Sequence, residues 1–384
     1  MPRKKKKTAT GSGVAGVINQ LKSRYPGKIF AANEYTMPWM VKRLPTGLID
    51  LDIALSGGLP AGGMSFFTGK QGVGKNWLAN QVIREHQLRH GENTSIAVVN
   101  TEMAYDKIFA RDCGVQVALS PIEIAELNSQ TERASGEGLS KEEISELREQ
   151  VGFFHTSLPT TAEESLSIAI DLIASREFDI VLIDSFGSLL TEHDDENDLS
   201  SSQRVGGAAM LNTRFARKMN YAMAPDAEGN PNLTCVIGIN QVRDNTNRTN
   251  KYSPRTIEGG GWALKHARWV TVQMSPVSKI KGTTGGKIGK TIRWEITKQK
   301  AGGHEGASSS YDFYYSLTGI NRAEHSVKVA SDHDVVERSG AWYSYAGEKI
   351  GQGVTNAGRY VIANGLLEEI EERTLAVAGV KCSY

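Results

Sequence analysis

The chain reads as an α/β protein built on a mostly parallel central sheet, and three features predict it. Apolar runs alternate with helical stretches, a glycine-rich loop joins the first run to the first long helix, and a polar residue closes each run. Strands covered by helices on both faces must be apolar throughout, so unbroken runs separated by helices mark a parallel sheet. The runs are Met64 to Phe67, Ile96 to Asn100, Asp179 to Asp184 and Thr234 to Asn240, with helices expected at about 76–89, 163–175 and 205–223. Two later strands, Ala267 to Met274 and Thr291 to Lys300, alternate instead. The glycine-rich turn between them predicts an antiparallel extension.

At the start of the chain, a basic run from Arg3 to Lys7 followed by TATGSG reads as a disordered arm suited to solubility or a weak phosphate contact. Val14, Val17, Ile18 and Leu21 then fall on helical spacing up to Pro26-Gly27. A helix this short is not stable alone, so it packs either on its own core or on a neighbouring subunit. Residues 121–150 hold eight Glu against three basic residues and read as a helical surface insertion, within about 116–150. From about Ala323 a small mixed segment carries Trp342, Tyr343 and Tyr345 and ends in helices. The expected division is an arm and helix at 1–33, a core at 34–322 and a small C-terminal domain at 323–384.

With 384 residues, 39% hydrophobic and 23% charged, the chain can bury one large core and a smaller satellite. No apolar run approaches the ~20 residues that span a bilayer, and no secretory leader is evident, so a cytoplasmic protein without membrane contact is expected. Cys113, Cys235 and Cys382 lack metal-type spacing and read as reduced thiols. A net charge of +1 leaves any nucleic-acid contact to local charge distribution.

The segment MSFFTGKQGVGKNW carries the chemistry. Glycines let successive backbone N–H groups turn toward phosphate oxygens, the following helix offers its positive end, and Lys75 adds a full charge. Gly69, Lys70, Gln71, Gly72, Val73, Gly74, Lys75, Asn76 and Trp77 form the expected nucleotide-binding stretch, for ATP. Asn76 stands where Ser or Thr normally gives Mg²⁺ a hydroxyl. A second lysine motif, Gly289-Lys290-Thr291, has Thr284 in place of the first glycine and leads into an alternating strand, so it reads as hairpin chemistry.

Ligands of open parallel sheets bind beyond the carboxyl ends of the strands. Those ends carry the phosphate loop, Asn100-Thr101-Glu102, Asp184-Ser185 and Asn240-Gln241. Asp184 closes IVLID and is assigned to Mg²⁺; Glu102 is then free to polarise water, and Gln241 to sense the terminal phosphate. The segment after Gln241 has almost no apolar content. Its Arg243, Arg248, Lys251 and Arg255, with Tyr252, suit contact with a nucleic-acid backbone and stacking on bases, and Arg204 and Arg217 extend the same surface.

These residues, with LPTGLIDLDIALSGGLPAGG, INQVR, GGGWALK and above all GAWYSYAGEKIGQG, make the chain resemble the bacterial and phage RecA recombinases over nearly its whole length. The resemblance implies a RecA-type phosphate-loop ATPase core, an N-terminal oligomerisation helix, a small C-terminal α/β domain, and a helical homo-oligomeric filament on single-stranded DNA that pairs with duplex DNA. It also implies ATP between subunits, Glu102 as catalytic carboxylate, and Asp106 and Phe109 beside the adenine. Lys298 and Lys300 would be cations reaching the neighbour's ATP. DNA loops would span about 192–207 and 242–258, and a single-strand-binding protein or loader would be a further partner. Three departures stand out: Asn76, expected to weaken Mg²⁺ binding and slow hydrolysis; the Glu-rich insertion; and a C-terminus without an acidic tail. Two rivals remain at this point, a nucleotide- and DNA-binding filament protein without turnover and a closed hexameric DNA motor.

Overall fold

The computed structural model describes residues 13–31, 37–103, 105–187, 207–244, 256–258 and 261–380. Its centre is a ten-stranded sheet built from β1 (Met64–Gly69), β2 (Ser95–Asn100), β3 (Phe153–Ser157), β4 (Ile180–Asp184), β5 (Cys235–Asp244), β6 (Thr256–Glu258), β7 (Val270–Lys281), β8 (Lys287–Gln299), β9 (Ser308–Tyr314) and β10 (Gly319–Ile320). The spatial order is β10-β9-β8-β7-β1-β5-β4-β2-β3, with β6 pairing on β5. Contacts from β7 through β3 are parallel, and β7, β8, β9 and β10 pair antiparallel. The predicted parallel centre with an antiparallel extension is therefore what the chain adopts. The motif at Gly289 lies in the β7–β8 hairpin, as its alternating context requires.

Every residue of β1 is buried, and the strand's two-residue period sends neighbours to opposite faces. Phe67 packs with Trp77, Leu78 and Val82 of the helix Lys75–His90, whereas Phe66 packs with Leu166, Phe215 and Leu264 from helices on the other face. Two sheet faces thus receive helices from one continuous apolar strand.

The helix Val14–Arg24 buries none of its residues; Val14 and Val17 are exposed. The Glu-rich segment forms helices Pro121–Ser135 and Lys141–Leu147, each opened by a reciprocal capping box, Ser120 with Glu123 and Ser140 with Glu143. It is mostly exposed but tied down. Arg111 donates to the carbonyls of Val117, Glu146 and Glu149, and Lys107 pairs with Glu123 at 2.7 Å.

A three-stranded antiparallel sheet spanning 337–352 and helices Arg322–Asp332, Val354–Ala363 and Leu367–Val377 enclose a separate core around Val327, Tyr343, Tyr345 and Ile370. Arg322 joins this core to the larger one, reaching Glu371 at 2.7 and 3.0 Å and Glu85 at 3.0 Å.

Candidate functional site

The carboxyl ends of β1, β5, β4 and β2 lie side by side. Gly69 is level with Gln241, and Asn100 with Asp184. The strand-end residues singled out by their position in sequence therefore share one sheet edge.

The phosphate loop needs its glycines for different reasons. A Cβ on Gly69 would stand 2.5 Å from the Met274 carbonyl oxygen of the adjacent strand, so the backbones approach only without one. Gly74 opens the following helix at φ +89°, in the left-handed region that favours glycine. Lys75, 6% exposed, donates from Nζ to the carbonyls of Gly69 (3.1 Å) and Lys70 (2.9 Å). Burial lowers its pKa, against the opposing charges of Asp184 and Glu102.

Trp77 corrects one expectation. Its side chain is buried, with ring centroids 5.4 Å from Tyr311 and 5.6 Å from Phe313, so it belongs to the core. Only its backbone N–H faces the helix start, because the helical period turns this position toward the sheet. Val73 is buried in the same core.

Asn76 donates from Nδ2 to Asp184 Oδ2 at 2.7 Å. Asp184 is almost fully buried, and its pKa is raised to about 6, first by burial and then by Glu102, with Asn76 and Lys75 opposing. The Ser185 hydroxyl donates to Glu102 Oε1, while Thr101 Oγ1 accepts from the Ser185 N–H at 2.7 Å and donates to its carbonyl. Two strand ends are thereby laced together beneath the carboxylates. Burial raises the Asp184 carboxyl and the nearby Glu102 adds to it, and a divalent cation at this edge would oppose both effects. Among the described residues no group of three or more His, Cys, Asp or Glu could hold a metal. A Mg²⁺ ion bound with nucleotide takes oxygen from phosphate and water as well, so Asp184 with the Asn76 amide fits it.

Asn240 donates to Glu258 at 2.8 Å, and Glu258 pairs at 2.5 Å with Arg268, a buried cation stacked 3.7 Å from the Phe66 ring. The segment expected to be a loop from Val242 begins and ends as strand: Val242 pairs with Glu258, Arg243 with Ile257 and Asp244 with Thr256. Arg217 is exposed on the helix Gly207–Ala222. Arg204, Arg248, Lys251, Tyr252 and Arg255 lie outside the described residues, as does the basic arm.

Asp106 caps the helix Lys107–Asp112, accepting from Ile108 N at 2.8 Å and Phe109 N at 3.1 Å. Phe109 is partly buried against the main core. Lys298 and Lys300 are not at the phosphate edge of their own chain. Lys298 is level with Thr271 and Gln299 with Val270, whereas Gly69 is level with Met274, about 10 and about 13 Å further along the strands. Both lysines donate to the His266 carbonyl, and Lys298 also to that of Lys265, at the end of the helix Gly261–Ala267. Burial and the charge of Lys300 lower the pKa of Lys298 to about 8.

Arg268 was missed in the sequence, because it comes from a distant segment and carries no motif. Ser185 was noted at its strand end without a role, and Lys290 was read only as part of a hairpin.

A parallel sheet with a phosphate loop and two acids at one edge defines a class, the phosphate-loop nucleotide-binding α/β proteins. Comparison with known proteins narrows it. The RecA N-terminal domain matches residues 140–317 and the RecA C-terminal domain residues 326–378. Protein RecA of Lactobacillus delbrueckii subsp. bulgaricus is 30% identical over 322 residues, covering 84% of this chain and 82% of that protein. Protein RecA of Streptococcus pyogenes serotype M5 is 30% identical over 358 residues, covering 88% and 82%. A crystal structure of the RadB recombinase covers 72% of this chain and 98% of its own at 18% identity and a TM-score of 0.44, too distant to bear on function. The chain belongs to the RecA family. Members of this family use ATP with Mg²⁺, bind DNA and form oligomers.

Proposed function

We propose that this protein is an ATP-dependent DNA recombinase that assembles head to tail on single-stranded DNA, pairs it with homologous duplex, and hydrolyses ATP at subunit junctions in the cytoplasm. The observation that carries the reading is the separation within one chain. Phosphate loop, Glu102, Asp184 and Gln241 share one edge, while Lys298 and Lys300 stand at the other end of the sheet. Stacked in line, one chain's lysines meet the next chain's nucleotide. The uncovered apolar stripe of Val14–Arg24 supports docking on a neighbour.

In this reading, the loop N–H groups and Lys75 bind the phosphates, Lys75 exchanging two carbonyls for phosphate oxygens. Asp184 and the Asn76 amide would hold Mg²⁺, which would supply positive charge against the phosphate chain. Glu102, oriented by the Ser185 hydroxyl, takes a proton from the attacking water. Lys298 and Lys300 of the adjacent subunit stabilise charge on the transferred group. Asp106 and Phe109 flank the base, from the helix that Asp106 caps. Gln241, beside Gly69, couples phosphate occupancy to the β5–β6 ribbon and to the basic segment it frames, where Arg243, Arg248, Lys251, Tyr252 and Arg255 would meet DNA, with Arg204 and Arg217 alongside.

The hydrogen bond from Asn76 to Asp184 favours a second reading, a filament that binds ATP and DNA without turnover. ATP hydrolysis with and without single-stranded DNA across a Mg²⁺ titration, with imaging of the same samples, separates them. DNA-stimulated turnover with filaments supports the recombinase. Filaments without turnover support the silent protein, and closed rings alone refute both.

A further inference from the structure

The β7–β8 hairpin brings a cation to the phosphate loop that the catalytic reading above does not use. Lys290 donates from Nζ to the carbonyl of Gly72, 218 residues away in sequence. The local cause is legible in the ladder: Lys287 pairs with Lys281 but Gly289 with Ile280, a register shift that leaves Ile288 as an extra residue. Such bulges re-aim the side chains that follow. Gly289 permits the close strand approach here, since a Cβ would stand 2.3 Å from the Phe313 carbonyl oxygen. The Lys290 ammonium then lies 5.4 Å from the Phe313 ring centroid and 5.9 Å from that of Tyr315.

This lysine differs from its neighbours on the hairpin. Lys279, Lys281 and Lys287 are exposed, whereas Lys290 is partly buried and its pKa is lowered by burial, with a further contribution from Lys287. The charged groups that act on it include no carboxylate, and residues 259–294 contain neither Asp nor Glu. A partly desolvated ammonium resting on one carbonyl resembles Lys75, which rests on two. Lys75 also has the charges of Asp184 and Glu102 acting on it, whereas Lys290 is a cation held at the loop with no carboxylate acting on it.

We propose that Lys290 is a second phosphate-binding residue supplied by the same chain, its ammonium passing from the Gly72 carbonyl to oxygens of the polyphosphate when ATP enters the loop. This rests on the ATP-binding reading and deepens it. A second full charge from the hairpin offsets part of the support lost where Asn76 replaces a hydroxyl. Because the cation stands on β8, nucleotide also braces the hairpin against the loop.

The test compares Lys290→Met, which keeps the hydrocarbon stem, with Lys290→Arg, which keeps the charge, and with Lys279→Met as an exposed control on the same hairpin. Equilibrium binding of fluorescent ATP and ADP analogues is measured with thermal melts of each variant. Lys290→Met is expected to bind the ATP analogue about tenfold more weakly, with a smaller loss for ADP and a flatter salt dependence. Lys290→Arg should stay within about twofold of wild type, and Lys279→Met should match it. Wild-type affinity in Lys290→Met overturns the proposal, as does equal weakening in the Met and Arg variants, which would indicate packing. If the wild-type protein itself binds neither analogue, the ATP-binding reading fails first and this one with it.

Discussion

Replacing Asn76 with threonine should move two measurable quantities in opposite directions. In the nucleotide-free protein the amide donates to the buried carboxylate of Asp184 at 2.7 Å. Hydrogen bonds to charged groups contribute about 1.5–3 kcal/mol, and threonine, whose hydroxyl sits one bond nearer the backbone, cannot reach the same oxygen. The nucleotide-free variant should therefore lose about 1–2 kcal/mol, a fall in melting temperature of roughly 1–3 °C for a chain of this length. With ATP and Mg²⁺ present the order reverses. A hydroxyl suits the metal at that distance, so half-saturation by Mg²⁺ should fall and DNA-stimulated turnover should rise about tenfold, or about 1.4 kcal/mol of barrier. The assay is hydrolysis with single-stranded DNA over a Mg²⁺ titration, beside melts without nucleotide. Unchanged or slower hydrolysis would refute the assignment of Asn76 as the limiting group. An unchanged melting temperature would refute the stabilising bond.

Asp184 sets a pH response. Its pKa of about 6 against an ordinary 3.8 means that the fold holds this proton more firmly than the unfolded chain does. Its contribution is fully present below about pH 4 and is lost as pH rises through 6, at most about 3 kcal/mol. Asp184→Asn should thus raise the nucleotide-free melting temperature at pH 7.5 while abolishing Mg²⁺-dependent hydrolysis; a lowered melting temperature would contradict the sign. In the wild type, hydrolysis should fall between pH 7 and 5 and recover with added Mg²⁺. Lys298 loses its charge above about pH 8, so hydrolysis that depends on it should decline from pH 8 to 9.5, and Lys298→Arg should flatten that decline. Arg322→Met removes the cation that pairs with Glu371, while Glu85 keeps Arg84 and Arg89, and should lower stability by about 1–3 kcal/mol, with earlier proteolytic cleavage near residue 320.

Long-range order was legible in the sequence where one residue type had to repeat. β1, β2, β4 and β5 are buried on both faces, and their unbroken apolar runs announce them. β3 was not recognised, because at the sheet edge only Phe154 of FFHTS is buried and the strand carries neither a run nor an alternation. At the opposite end of the sheet β7 and β8 were foreseen as alternating strands, but β9, whose Tyr311 and Phe313 enclose Trp77, was not. At the site, the meeting of the phosphate loop, Asn100, Asp184 and Gln241 at one sheet edge followed from their place at strand ends. Their partners did not. The bond from Asn76 to Asp184 joins residues 108 apart, and Lys290 reaches the loop only because a bulge turns it there. Trp77 shows the converse: membership of a motif said nothing of where its ring points, which the helix period decided.

The opposite placement of loop and paired lysines has a consequence for counting. If each completed centre takes its loop from one chain and its lysines from the next, a row of n chains contains n − 1 completed centres. One end chain carries a loop that nothing finishes, and the other carries lysines that finish nothing. A lone chain then has no complete centre, a pair has one, and specific activity climbs with length toward a plateau. The two tips also differ chemically, since nucleotide at one cannot be consumed until another chain arrives. Such an array would keep its nucleotide cap at one tip only, giving the row a direction from the wiring of a single sheet.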